Sequence, residues 1–242
     1  MSGRCPMTQA QSAKDRCLAD LEARILKRDL APGTALEEGP LCTAYALSRT
    51  PLREVFQRLA GAGYITLIPG KGAEVARIDL SRLRQFFRTA PLLHALVARL
   101  AAEAAGARDD TSLANAEAAL RRARVARAAA GSALADHGYL TALARLGDNP
   151  YVETAYAQLL IDQTRLAQDF WRIETEADTR RIDAAIAGRA KLTKAVTEGR
   201  ATEAVAHALQ HWEAMRAVIE RYVQPPPLTD ESGSFDDDWR GT

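Results

Sequence analysis

Between residues 13 and 78 the apolar positions change period twice. Leu18, Leu21, Ile25 and Leu26 recur at helical spacing and predict a helix over about 13–28. Pro32-Gly33 stops it. Leu36-Glu37 extends briefly, and a short helix follows at about 40–45 with Pro40 in its first turn. A second stripe, Leu52, Val55, Phe56 and Leu59, predicts a helix that begins at Thr50-Pro51-Leu52 and ends at Gly61 and Gly63. The Ser48 hydroxyl is placed to cap it, and Glu54 stands in its acid-favouring first turns. Residues 64–68 and 73–78 alternate with β-rich character, and Pro69-Gly70-Lys71-Gly72 between them reads as a hairpin turn. Three helices and a two-stranded hairpin in this length predict a winged helix-turn-helix.

After Asp79 the pattern becomes long alanine- and leucine-rich helical segments, at about 81–106, 111–130, 133–146, 150–172, 178–198 and 201–222. Breaks fall at Asp148-Asn149-Pro150 and Glu198-Gly199, and Pro91 is expected to kink the first segment. A compact all-α bundle accommodates segments of this length. The chain thus divides into a flexible arm (1–12), a winged helix-turn-helix (13–78), an all-helical domain (79–223) and a disordered acidic tail (224–242). The fold class is mainly α.

Composition narrows the possibilities. Hydrophobic residues make up 47% of the 242, enough for a core, while no apolar run reaches the length of a membrane span and no secretion signal opens the chain, so a cytoplasmic protein is expected. Three cysteines, Cys5, Cys17 and Cys42, without paired spacing argue against a disulfide framework or a cysteine zinc site. No nucleophile elbow, phosphate loop or HExxH motif occurs, so no enzymatic activity is expected. The net charge is +1, and residues 14–77 carry ten Lys/Arg against eight Asp/Glu. Any affinity for DNA therefore rests on local arrangement, not on a global basic field.

That arrangement lies in residues 47–59, LSRTPLREVFQRL. Arg49, at the mouth of the helix, and Arg53, four residues on, share a helix face. Two arginines so spaced also describe a solvated face with a few ion pairs. The context favours another use: the second helix of a helix-turn-helix enters the major groove by its N-terminal part. There a guanidinium pairs with guanine O6 and N7, each good pair discriminating by ~1–3 kcal/mol. Pro51 stiffens the helix start where its missing N–H costs nothing. Ser48 and Thr50 hydroxyls are candidates for phosphates, the hairpin tip Gly70-Lys71 for the flanking backbone, and Arg58 and Arg77 for weaker phosphate contacts.

The ordered motifs Leu30-x-Pro32-Gly33-x-x-Leu36-x-Glu38, Ser48 to Leu59, Gly63 and Gly70 to Val75 resemble the DNA-binding domain of GntR-family bacterial transcription regulators over about residues 13–78. The resemblance implies base contacts from Arg49 and Arg53 and wing contacts from Gly70 and Lys71. Two positions depart from it. Ala46 replaces the usual glycine of the turn, which is tolerable only if the backbone there avoids positive φ. Gly39 stands where some members carry a further DNA-contacting arginine.

The helical domain resembles the FadR-like subgroup, whose FCD-type bundle binds small effectors, often organic acids. The resemblance is carried by Asp136-x-x-Tyr139-x-x-x-Leu143 with Asp148-Asn149-Pro150, by Leu192-x-x-Ala195-x-x-x-Gly199, and by His211. Many such domains hold a divalent metal with one aspartate and three histidines. Those positions are Asp136, Leu140, Arg189 and His211 here, so two ligands are replaced, one by a permanent cation. No high-affinity metal and no cofactor are expected. Three readings of the inner site stay open: an Arg189–Asp136 ion pair that fills it, an effector carboxylate or phosphate held by Arg189 with Asp136 and His211 around it, or a metal on Asp136, His207 and His211. His94 lies where the resembled subgroup often has glutamate. Tyr139, Tyr151, Tyr156 and Trp212 read as core or interface residues.

The expectation is a ligand-responsive bacterial transcription regulator that binds an inverted-repeat operator on double-stranded DNA as a homodimer. Its effector is a small organic acid or other anion, and the helix after the linker serves as the lever. The alternative is a helical partner-binding or structural module with a degenerate pocket and weak or no DNA binding.

Overall fold

The computed structural model describes residues 12–70, 72–106, 110–126 and 128–223. The expected arm (but for Ser12), the acidic tail and Lys71 lie outside the described residues. The N-terminal unit comprises α1 (Ala13–Leu26), β1 (Ala35–Leu36), α2 (Glu38–Tyr45), α3 (Arg49–Ala62), β2 (Ile65–Ile68) and β3 (Gly72–Val75). Ser12 caps α1, its hydroxyl accepting the Asp15 N–H at 3.1 Å. The apolar stripes of α1 and α3 meet in one core: Cys17, Leu21, Ile25, Leu52, Val55, Phe56 and Leu59 are buried with Leu36, Ile65 and Val75 of the strands. Each fully buried aliphatic or aromatic side chain contributes about 1.5–3 kcal/mol, so this stripe fixes which face of α3 is left for solvent.

Three local expectations change. The sheet has three strands, order β1-β3-β2, because Ala35 and Leu36 pair antiparallel with Glu74 and Ala73. Two residues carry too little pattern to read as a strand alone; the partner edge makes them one. Ser48 holds the N-cap position of α3 with extended backbone but makes no side-chain cap hydrogen bond. Ala46 ends α2 in the left-handed region (φ 52°, ψ 43°), so the condition under which alanine would sit there without strain is not met. The tight turn between α2 and α3 demands that conformation whichever residue occupies it.

The second unit comprises α4 (Leu80–Glu103), α5 (Thr111–Val125), α6 (Ala129–Leu146), α7 (Pro150–Leu166), α8 (Glu176–Thr197) and α9 (Ala201–Val223). α4 continues through Pro91 as one helix. It lies against α6, α7, α8 and α9, and α5 packs on α6. Gly147, after α6, is set by space: a Cβ there would meet Leu100 Cβ of α4 at 2.9 Å. A reciprocal capping box starts α8, Thr175 accepting from the Asp178 N–H and Asp178 from the Thr175 N–H. Among the described residues no helix is long and apolar enough to cross a membrane.

Helix α7 joins the two units. Ile161 packs into the core of the N-terminal unit. The Arg165 Nη2 donates to the Ala76 carbonyl at 2.6 Å, and the Gln168 Nε2 to the Leu26 carbonyl at 2.8 Å. Asp162 receives Arg82 Nε at 2.6 Å and Arg165 Nη1 at 3.4 Å. Arg28 pairs with Asp169 at 3.0 Å. Arg165 is 1% exposed and Gln168 is buried, so their bonds lie inside the junction, whereas the Arg28–Asp169 pair lies at its surface.

Candidate nucleic-acid interface and inner site

Burial of Leu52, Val55, Phe56 and Leu59 turns the opposite side of α3 outward, and Ser48, Arg49, Thr50 and Arg53 are all exposed there. Arg49 and Arg53 thus share a free face at the N-terminal end of the second helix of the motif. Arg53 is not loose. Glu38, in the first turn of α2, accepts its Nε at 2.8 Å and its Nη2 at 3.3 Å. That forked bond, with the charges of Arg53 and then Arg49, holds the Glu38 carboxyl below its usual range. Between α3 and the hairpin lies an open cleft of about 660 Å³ lined by Glu38, Arg53, Gln57, Leu67 and Gly70. Gly70, exposed with φ 72°, stands at the hairpin tip.

Arg58 does not join this face. It lies about half a turn round α3 from Arg49 and pairs with Asp15 of α1 at 3.6 Å. Arg77 is held by Glu74 through two bonds of 3.0 and 3.1 Å. Glu38 enters the sequence pattern only as a motif position; its pairing with Arg53, fifteen residues on, has no local signal in the sequence.

In the helical domain Asp136, Arg189 and His211 do converge, and all are buried. Arg189 donates from Nε and Nη2 to the two oxygens of Asp136 at 2.7 and 3.0 Å, and its guanidinium lies 5.2 Å from the Tyr139 ring centroid. Burial works against the arginine's charge, but the Asp136 carboxylate more than offsets it and raises the Arg189 pKa. His211 Nε2 is 4.0 Å from Asp136, and neither of its ring nitrogens has a hydrogen-bond partner. Burial, then the Arg189 charge, pushes its pKa well below the usual histidine value, so it is neutral. The indole N–H of buried Trp171, whose ring centroid is 6.4 Å from that of His211, is also unpartnered.

His94 belongs to this interior. Its Nε2–H donates to Gln163 Oε1 at 2.8 Å, and its Nδ1 accepts the Tyr156 hydroxyl at 2.7 Å. Burial, then Arg189, lowers its pKa to about 4. Tyr139, Tyr156 and Trp212 are core residues, whereas Tyr151 is exposed. His207 is only half-buried. Among the described residues no three His, Cys, Asp or Glu side chains gather as a metal set, and Asp136, His207 and His211 are not brought together. The divalent metal that the resemblance implies does not fit these residues: a guanidinium already satisfies both oxygens of Asp136, and Leu140 offers no donor.

The family model described as bacterial regulatory proteins, gntR family, matches residues 13–75. Residues 13–75 are a GntR-family helix-turn-helix domain. The HTH-type transcriptional repressor RspR of Escherichia coli (strain K12) is 40% identical over 86 residues, which are 33% of this chain and 37% of RspR. An uncharacterized HTH-type transcriptional regulator in an unstable DNA locus of Streptomyces ambofaciens is 40% identical over 78 residues, 31% of this chain and 33% of its own. The chain therefore spans about a third of the length of the curated relatives it matches. The solved structure of E. coli McbR/YncC superposes with a TM-score of 0.73 at 17% identity, covering 88% of this chain and 99% of that one. That likeness extends the shared fold beyond the GntR domain into the helical bundle.

Proposed function

We propose that this chain is a ligand-responsive transcription regulator that binds an inverted-repeat operator as a homodimer. The observation that carries the reading is the exposed Arg49 and Arg53 face of α3 within a GntR-family domain. Inserted in the major groove, that face offers guanidinium donors to base edges and Ser48 and Thr50 hydroxyls to phosphates, while Gly70 at the hairpin tip, with Lys71 next in the sequence, serves the neighbouring backbone. Arg58, turned toward α1, is at most a peripheral phosphate contact. The protein is not an enzyme in this reading, and it works in the cytoplasm.

Twofold symmetry of a dimer matches twofold symmetry of an operator. Exposed Leu92 and Leu96, four apart on α4, supply an apolar stripe for a second copy. The inner site is the place for an effector. His211 and Trp171 keep unpartnered polar atoms there, and a small carboxylate or other anion would compete with Asp136 for the Arg189 fork. α7 supports coupling to the DNA-binding end: its Tyr156 and Gln163 bond to His94 inside the bundle, while its Asp162 and Arg165, with Gln168 just past its end, bond at the junction. A coupling of ~1–3 kcal/mol is the usual size of such effects.

The Arg189–Asp136 fork specifically favours a second reading of the inner site alone: a pocket closed by its own ion pair, in a module that takes no ligand. One experiment serves both. Purified chain is used to select from a pool of randomised DNA duplexes, and the enriched duplexes are tested by gel shift with and without a panel of small organic acids. An inverted-repeat motif lost in Arg49→Ala and Arg53→Ala, with affinity altered by one acid, supports the regulator. A motif that no acid affects leaves a DNA-binding protein with a closed pocket. Failure to enrich any motif removes the proposal.

A further inference from the structure

We propose that Glu38 is a positioning residue that fixes which edge of the Arg53 guanidinium meets DNA, and so sets base preference at the position Arg53 reads. The inference rests on the DNA-binding reading above. Arg53 has five N–H donors in a planar fork. The carboxylate takes Nε–H and one Nη2–H, along the side edge. The end-on edge, one N–H from each terminal nitrogen, is left, and two parallel donors are what guanine O6 and N7 accept.

The partners are unequally sheltered. The Glu38 side chain is 21% exposed and that of Arg53 is 64%. The acid is thus the more sheltered partner and anchors the guanidinium by its side edge, and both side chains line the cleft between α3 and the hairpin. An arginine of this length otherwise samples many rotamers, and ordering one such side chain on binding weakens affinity by roughly two- to ten-fold. Glu38 meets that cost before DNA arrives. It also places a negative charge beside the phosphate-facing surface, which reduces attraction to any duplex regardless of sequence. Both effects act in one direction: less non-specific binding and a narrower choice of base. Arg49 has no such fork; the carboxylate acts on it only through charge.

The test compares motifs position by position. The same randomised duplex pool is selected with the parent, Glu38→Ala, Glu38→Gln, Arg49→Ala and Arg53→Ala, and binding to an unselected duplex is titrated against salt. Glu38→Ala is expected to lose base preference at the positions that Arg53→Ala loses and to keep those that depend on Arg49. It should also bind the unselected duplex more tightly, with a salt dependence steeper by about one phosphate contact. Glu38→Gln, which keeps chain length and one acceptor, should retain part of the preference. It carries the comparison if Glu38→Ala melts below the assay temperature. An unchanged motif in Glu38→Ala, or equal loss at the Arg49-dependent positions, overturns the positioning role while leaving DNA recognition standing. A parent that enriches no motif overturns both.

Discussion

Arg189 holds Asp136 through two near-parallel hydrogen bonds of 2.7 and 3.0 Å in the middle of the helical bundle, with side-chain exposures of 1% and 5%. The pair ties α6 to α8 across the bundle core. Where many domains of the resembled subgroup hold a divalent cation, the Arg189 guanidinium sets a positive charge of the chain itself against Asp136.

Removing one member of such a pair strands the other. Arg189→Met keeps most of the volume but leaves Asp136 in an apolar interior without its counter-charge. The expected loss is about 3–5 kcal/mol in urea unfolding. Combining it with Asp136→Leu should recover most of that loss, because desolvation of the pair nearly cancels its attraction. A double variant no more stable than Arg189→Met would show that packing rather than charge dominates the site.

His94 makes stability depend on pH in a definite window. It is neutral in the fold, with a pKa of about 4, bonded to Tyr156 and Gln163 of α7, against Trp212 of α9, and near the charges of Arg189 on α8 and Asp136 on α6. The unfolded chain takes up the same proton near its ordinary value of about 6.5. Its folded pKa is depressed, and for a base this means the unfolded state binds more protons between those values. Stability is therefore full above pH ~6.5 and falls as pH drops toward ~4, by on the order of 3 kcal/mol. His211 adds to the loss in the same direction. Urea midpoints at pH 7, 6 and 5 should decline, and His94→Gln should flatten the decline. The carboxylates held below their usual range at Asp15, Glu38 and Glu74 act only at lower pH, while His137, lowered by burial, adds to the decline and Glu22, raised by burial, opposes it.

Much of this was legible because it is local. The stripes of α1 and α3, the glycine turns and the exposed Arg49 and Arg53 face follow from period and from the sterics of single residues. The Asp136, Arg189 and His211 convergence came from the resemblance. What escaped depends on partners far away in the chain. Ala35-Leu36 is a strand only because β3 presents an edge, and Glu38 matters only because Arg53, fifteen residues on, reaches back to it. Arg165 looks like a surface residue in the run LLIDQTRLAQ; its burial is imposed by a carbonyl of the other unit, at Ala76. The unfulfilled Ser48 cap shows the converse, a local signal with no bond formed.

The left-handed turn at Ala46 is a place where the chain carries removable strain. An L-residue with a Cβ costs about 1–2 kcal/mol there, and glycine gives back about 0.4–1 kcal/mol through its freer unfolded state. Ala46→Gly should therefore stabilise the GntR domain by about 0.5–1 kcal/mol. Denaturant unfolding followed by a probe in the N-terminal core would register it. A loss of stability would mean that the methyl group makes contacts worth more than the strain.

The two units are expected to melt together because of a few buried polar bonds at the α7 junction. Arg165 is the centre: its Nη2 satisfies the Ala76 carbonyl, which no strand partner of β3 covers, and its Nη1 leans on Asp162. Arg165→Met fills similar space but leaves that carbonyl unpaired, at a cost of about 1–3 kcal/mol. Asp162 keeps Arg82, so the helical bundle should lose little. The deficit falls on the attachment of the DNA-binding end, where Ile161 and Gln168 remain as weaker ties. Calorimetry should then resolve the parent's single transition into two. Amide exchange should quicken at Gly33 and Val75, whose N–H groups bond to Val75 and Thr34 carbonyls beside Ala76, and stay unchanged in α8. Uniform quickening across both units would instead assign Arg165 to global stability and remove α7 as the element through which the inner site addresses DNA.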